Sequence, residues 1–386
     1  MANEGKNLTL LEASSIIAGN GIGGGIMAVP FLVSLNGIPS SLLVIGLAYL
    51  ISVLLHLMIA EVAAGSGDNP QVVEIFSRYL FRGRWKMPLT WAFFGIICLV
   101  FFATLAGYIA GSGEILSSLL GIPSIVSQLV FYALGAGVAF FGLKAIGISE
   151  KLAILGMGLV FVLFFIVTLG IPLQPLPMGF SLDARTLALF GMVMFSFGAF
   201  FAVPQAVTGL RTRPHLISRA VVLGIGINLL VVLAVTFLSL LASKQVTEIA
   251  MIGWSQAIGP WASVLGAIFT VLAMITSYWS ISYALMTILQ ERLPIANLPA
   301  WLIATLPTLV VALLALTGFL GFMRLAGGGV AVLIALLFVP TYWQYRKANA
   351  GAKPLFLAGV WSHAIFQWVA MAGYLAMAVG SFISIE

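Results

Sequence analysis

Ala18-Gly19-Asn20-Gly21-Ile22-Gly23-Gly24-Gly25 lies inside the first apolar run of the chain, and five of its eight residues are glycine. Each glycine costs a helix interior about 1 kcal/mol relative to alanine. A cluster of this density predicts an unwound helix with bare backbone. Hydrocarbon tolerates bare backbone only where protein or a polar cavity satisfies it, so the break points at a polar ligand. Small residues also let helices pack closely, but packing wants glycine on one face, not all round.

The surrounding composition sets the class. Of 386 residues, 62% are hydrophobic and 7% charged, too apolar for a soluble core and typical of a polytopic membrane protein. A net charge of +6 invites a nucleic-acid reading. The basic residues sit between apolar runs, however, and form no patch. The lone cysteine, Cys98, excludes an internal disulfide, and no cleavable signal pattern precedes the first run.

Apolar runs near the roughly 20 residues that cross a bilayer fall at about 9–35, 38–64, 89–120, 122–142, 150–171, 185–211, 215–243, 260–291, 298–317, 325–346 and 355–383. Eleven spans place Lys6, Arg78, Arg82, Arg84, Lys86, Lys144, Lys151, Arg211, Arg213, Arg219, Arg292, Arg346, Lys347 and Lys353 on one side. Arg185, Lys244 and Arg324 fall on the other. Fourteen against three, of seventeen, puts the N-terminus in the cytoplasm and the C-terminus outside by the positive-inside rule.

Thr9 and Glu12 match a capping box at the head of span 1, so Glu12 reads as a cap. Asp68-Asn69-Pro70 predicts a helix start, followed by an amphipathic surface helix with Val72, Val73, Phe76, Tyr79 and Leu80 on one face. Gln245 to Ile258 reads as a lid or a plain loop.

A repeat is also present. Ala28-Val29-Pro30 follows the first break, and Ala202-Val203-Pro204 follows a second at Ser196-Phe197-Gly198-Ala199-Phe200. These mark spans 1 and 6. Five spans per half is odd, so the halves insert in opposite directions. Two interrupted helices in an inverted repeat facing one midplane site predict a secondary transporter. The expected architecture is an all-α membrane protein, one transporter domain over 1–386. Repeat one covers about 9–171, repeat two about 185–346, and an extra helix about 355–383.

The second half of span 1 begins near Gly23, and its free amides and positive dipole end suit a carboxylate. Gly23, Gly24 and Gly25 are therefore expected to hold a substrate carboxylate. The carbonyls of Gly19, Asn20, Phe195 and Ser196 are expected to hold an ammonium, which together describes a clamp for an α-amino acid. Ser196 could instead bond back to its own helix. Side-chain selectivity is expected from Tyr108, Phe197, Phe200, Phe201 and Tyr278, because such pockets are mostly apolar.

Several stretches resemble the amino acid–polyamine–organocation superfamily, with its LeuT-type 5+5 fold, and within it the hydroxy and aromatic amino acid permeases. They are Gly25-Ile26-Met27-Ala28-Val29-Pro30, Arg78-Tyr79-Leu80, Gly107-Tyr108-Ile109-Ala110-Gly111-Ser112-Gly113-Glu114, Ser196-Phe197-Gly198, and Arg324-Leu325-Ala326-Gly327 with Pro340, Trp343, Arg346 and Lys347. The resemblance implies cation-coupled symport of a neutral, aromatic or large amino acid across the inner membrane by a monomer, with no catalytic residues. It also implies a sodium site at Gly19, Ile22, Ala273, Thr276 and Ser277, whose neutral oxygens suit a hard cation.

Proton-coupled relatives place a lysine in span 5. Here 152–171 holds no ionisable residue and Met157 takes that place, so sodium is preferred over proton coupling or ion-independent exchange. His56 is the remaining proton candidate. Glu61 and Glu114 read as interfacial or gating groups, and Asn228 and His363 as structural. Paired catalytic carboxylates, metal-ligand clusters and a nucleophile–histidine–acid set are lacking in the spans, which argues against a membrane enzyme.

Overall fold

Thr9 starts the first helix as its spacing from Glu12 predicts. The Glu12 amide donates to Thr9 Oγ1 at 3.3 Å and the Thr9 amide to Glu12 Oε2 at 2.9 Å, satisfying two donors that a helix start otherwise leaves bare. Lys144 Nζ lies 2.7 Å from the same carboxylate. The computed structural model describes residues 7–67, 72–247, 250–316, 322, 333, 337–357 and 359–383, and all regular structure among them is helical.

Helix α1 (Leu10–Gly21) ends in the glycine cluster and α2 (Gly24–Asn36) begins after it. The axes meet at 59°. The break itself is only Ile22 and Gly23, shorter than the glycine run, because Gly23 is extended while Gly19 and Gly21 still complete the last turn of α1. The second interruption separates α8 (Ala184–Ser196) from α9 (Ala202–Gly209). Each half carries its Ala-Val-Pro just beyond the break, in α2 and α9.

Between them run α3 (Ile38–Gly65), α4 (Val72–Tyr79), α5 (Lys86–Leu120), α6 (Ser124–Phe140) and α7 (Leu143–Thr168). After the second break come α10 (Ile217–Ala242), α11 (Ala250–Ile258), α12 (Pro260–Arg292), α13 (Asn297–Leu313), the helical residues 337–348 (α14) and α15 (Ala364–Ser381). By length and composition six helices can cross a membrane, or seven counting the bent α1–α2 pair, and α6, α8 and α13 are shorter apolar helices.

α1 occupies the centre, packed against α7, α9, α10 and α12. Gly147 of α7 rests on Leu8, Glu12 and Ile16, and Gly224 of α10 on Ile17 and the Ser14 carbonyl. In α4, Val72, Val73 and Phe76 are buried and Glu74 pairs with Arg292. α4 thus lays its apolar face on the bundle, as its pattern predicts. Residues 68–71, where its start was placed, and Arg324 to Gly327 lie outside the described residues. Gln245–Ile258 is mostly the helix α11, pinned by fully buried Trp254, whose indole N–H donates to Thr168 Oγ1 at 2.9 Å.

One boundary needs correcting. Span 5 begins at Leu143, not at 150. Lys144, Ser149, Glu150 and Lys151 look like a polar turn in the sequence, yet they continue the helix from Gly142, whose φ of 86° ends the preceding turn. Lys144 and Lys151 reach Glu12 on α1. Glu150 is thereby carried into the bundle.

Candidate functional site

The two unwound stretches face each other. Asn20 Nδ2 donates to the Gly198 carbonyl at 2.9 Å. A Cβ on Gly21 would lie 2.8 Å from the Ser196 carbonyl oxygen, and one on Gly25 would lie 2.8 Å from Phe195 Cδ1 and 2.9 Å from Ser196 Oγ. Glycine is what permits this approach.

The backbone groups released by the breaks follow from helix geometry. The last four carbonyls of α1 lack helical partners. Ile22 N–H caps Ala18 O and Gly23 N–H turns back to Gly21 O, each at 2.8 Å. That leaves Gly19 O and Asn20 O, and α12 supplies hydroxyls to both. Thr276 Oγ1 donates to Gly19 O at 3.2 Å, and Ser277 Oγ lies 3.1 Å from Gly19 O and 3.4 Å from Asn20 O. Both hydroxyls also reach Ala273 O, at 2.9 and 3.3 Å.

Gly19, Ala273, Thr276 and Ser277 are therefore gathered at one point. Ile22 stands apart. Its side chain floors an apolar cavity of about 230 Å³ between α7 and α10, alongside Met157 and Phe161.

On the α2 side, the amides of Gly24 and Gly25 precede the first helical turn and have no helical acceptor. Gly23 spends its own amide on the turn to Gly21. The Tyr108 hydroxyl and Ser277 Oγ flank Gly23, 3.3 and 3.2 Å from where a Cβ would stand. Phe195 borders Gly25, and Ser196 Oγ donates to Met192 O at 2.9 Å within its own helix.

The other aromatic candidates diverge. Phe197 is fully buried, edge-on to Tyr49 of α3. Phe200 stacks on His56 with centroids 5.1 Å apart, and Phe201 meets Phe101 at 4.3 Å. Tyr278 turns to the other side of α12, onto Phe131 and Gly135 of α6. It is not brought to the breaks, because one residue beyond Ser277 is a rotation of about 100° around the helix.

His56 has a specific task. Ala199 N–H donates to its Nε2 at 2.9 Å, so that nitrogen is an acceptor and Nδ1 carries the proton it shares with Ser52 O at 2.6 Å. The neutral ring thus caps a bare amide inside the second break, joining α3 to it.

Three polar groups at the first break were missed or misread in the sequence. Glu150 is fully buried, and a Cβ on Gly19 would overlap its carboxylate. Asn228 of α10, read as structural, places its carboxamide against Gly21. Gln205 of α9 donates to Ser280 O at 2.8 Å. Both oxygens of Glu150, both polar atoms of the Asn228 side chain, Asn20 Oδ1 and Gln205 Oε1 lack hydrogen-bond partners among the described residues. Buried polar atoms are nearly always satisfied in proteins, so this concentration marks a polar-ligand site. A lone Asn or Glu inside an apolar helix was the available signal.

Glu61 and Glu114 divide. Glu61 is fully buried and pairs with Arg346 at 3.2 Å, whereas Glu114 is exposed.

The tryptophan/tyrosine permease family model matches residues 6–378. Two solved structures share the fold. One is Mhp1, a nucleobase-cation-symport-1 family transporter in a closed conformation with bromovinylhydantoin bound, with a TM-score of 0.63 and 14% identity over 97% of this chain and 91% of that one. The other is MhsT in complex with L-phenylalanine, with a TM-score of 0.63 and 15% identity over 98% and 99%. No curated protein matches the chain.

Proposed function

From the premise that the chain belongs to the tryptophan/tyrosine permease family, and is a multi-pass membrane transporter and not an enzyme, we propose the following. It is a secondary-active symporter of a neutral, aromatic or large amino acid, coupled to a cation and working by alternating access. The observation that carries this is the meeting of two broken helices, Asn20 on Gly198 and Gly21 and Gly25 on Ser196.

In this reading Gly24 and Gly25 amides receive the substrate carboxylate, with Gly23 shaping the turn beneath them. Carbonyls of Asn20, Phe195 and Ser196 receive the ammonium. Tyr108, Phe195 and Phe197 border the substrate side chain. Eleven spans form a 5+5 inverted repeat plus one, in the inner membrane, with the N-terminus cytoplasmic. α1, α2, α3, α8, α9 and α10 rock against the remainder.

The cation occupies the oxygens of Gly19, Ala273, Thr276 and Ser277, with Ile22 one turn on; neutral oxygens suit sodium. Proton coupling is the second reading, favoured by the buried Glu150 carboxylate beside Gly19. Counterflow in proteoliposomes tests the core proposal. Trapped unlabelled tryptophan or tyrosine should draw in labelled amino acid without any ion gradient. Failure with every neutral amino acid would overturn it.

A further inference from the structure

Glu150 stands seven residues inside α7, about 10 Å along the helix at 1.5 Å per residue. Its side chain is wholly buried and rests on the Cα of Gly19, where any larger residue would overlap it. Neither oxygen has a hydrogen-bond partner among the described residues.

The charged and titratable groups on the elements packed against α7 are otherwise engaged or turned away. On α7 itself Lys144 and Lys151 go to Glu12 of α1. On α12 Arg292 goes to Glu74, Tyr283 bonds the Leu143 backbone, Tyr278 faces α6, and Glu291 is exposed. Tyr132 of α6 meets Thr305 of α13, and Arg219 of α10 is exposed. α9 and α11 carry no titratable side chain.

An isolated carboxylate cannot keep its charge in such surroundings; it must hold a proton or a cation. What Gly19 presents to it is a C–H, and the Gly19 carbonyl is already met by Thr276 and Ser277. A neutral acid fits that surface better than an ion needing several oxygens.

We infer that Glu150 is the proton-binding site of the transport cycle, taking a proton from one side of the membrane and releasing it to the other as α1 moves against α7. The inference deepens the proposed transport function and rests on it. The neutral acid packs against Gly19. When α1 tilts away, the carboxylate meets water and gives up the proton, and α1 returns only after reprotonation. Gly19 also takes the α12 hydroxyls, and its neighbour Asn20 holds Gly198. Proton occupancy is thereby tied to the position of both breaks, which is the shared element that coupling requires.

The test uses the full-length protein in proteoliposomes containing a pH dye, with tryptophan and tyrosine as probes. The wild type should concentrate the amino acid under an inward proton gradient and acidify the lumen as substrate enters. Glu150→Gln, a neutral mimic, should keep counterflow and lose both signals at least tenfold. Glu150→Asp should retain measurable proton-driven uptake.

Wild-type counterflow without substrate-driven proton entry would overturn the inference even if the variants fail to fold. So would gradient-driven accumulation by Glu150→Gln at the wild-type level. Accumulation driven by sodium alone and abolished in Glu150→Gln would make the carboxylate a metal ligand and overturn it as well. Absence of wild-type counterflow would instead overturn the transport reading and this inference with it.

Discussion

Asn20 of α1 donates its carboxamide N–H to the Gly198 carbonyl at 2.9 Å, joining the two helix interruptions directly. Asn20 Oδ1 is left without a partner, so the same side chain ties the breaks together and offers an acceptor to a ligand. Replacing Asn20 by Ala removes one buried hydrogen bond, worth about 1 kcal/mol net, and strands the Gly198 carbonyl. Asn20→Ala should fold but transport at least tenfold more slowly, measured as counterflow rate per folded protein. Unchanged counterflow would show that the link is incidental.

The contact between Gly19 and Glu150 predicts a compensating pair. Gly19→Ala forces a methyl into the carboxylate, and overpacking a tight core costs about 1–3 kcal/mol. Shortening the acid in Gly19→Ala/Glu150→Ala should recover most of that loss. A thermal-stability double-mutant cycle reads the coupling. Additive effects would mean that the two residues are independent.

His56 should matter as a cap and not as a proton carrier. Its Nε2 accepts from Ala199 N–H while Nδ1 donates to Ser52 O, a pattern only the neutral ring can make. His56→Ala leaves a buried amide unpaired, at a cost of about 1–3 kcal/mol. The expected result is a lower melting temperature and slower counterflow, with proton-to-substrate stoichiometry unchanged in whatever activity remains. A changed stoichiometry would assign His56 to the proton path.

Buried Glu61 at the end of α3 pairs with Arg346 at 3.2 Å and accepts from the Phe356 and Leu357 amides at 3.4 and 3.3 Å. It therefore holds the connection between α14 and α15 against α3. Removing one partner of a buried pair costs about 3–5 kcal/mol. Glu61→Ala should release that connection and speed tryptic cleavage at Arg346, Lys347 or Lys353. Cleavage at the wild-type rate would mean that other contacts hold it.

The places where these predictions concentrate show what a sequence exposes. Both helix interruptions were legible, because glycine density and the repeated Ala-Val-Pro are local signals. The Thr9–Glu12 cap was legible for the same reason. The extent of the first break was not: Gly19 and Gly21 stay helical because α7, α10 and α12 press on them, which is a tertiary effect.

Glu150 was hidden by its neighbours. Lys144, Ser149 and Lys151 made residues 143–151 read as a polar turn, whereas pairing of both lysines with Glu12 keeps that stretch helical and inside. Tyr278 failed differently. Being adjacent to Ser277 in sequence turned it by a quarter turn onto α6, and only the placement of α6 decides that. Asn228 could be noticed but not assigned, since its meaning depends on Gly21 lying opposite.

The most direct measurement of the central claim compares binding of tryptophan with tryptamine, which lacks the carboxylate, and indole-3-propionate, which lacks the ammonium. If backbone at two breaks grips a zwitterion, each analogue loses one set of charge-assisted hydrogen bonds, about 1.5–3 kcal/mol. Each should then bind at least tenfold more weakly than tryptophan to purified protein. Equal binding of all three would contradict the clamp.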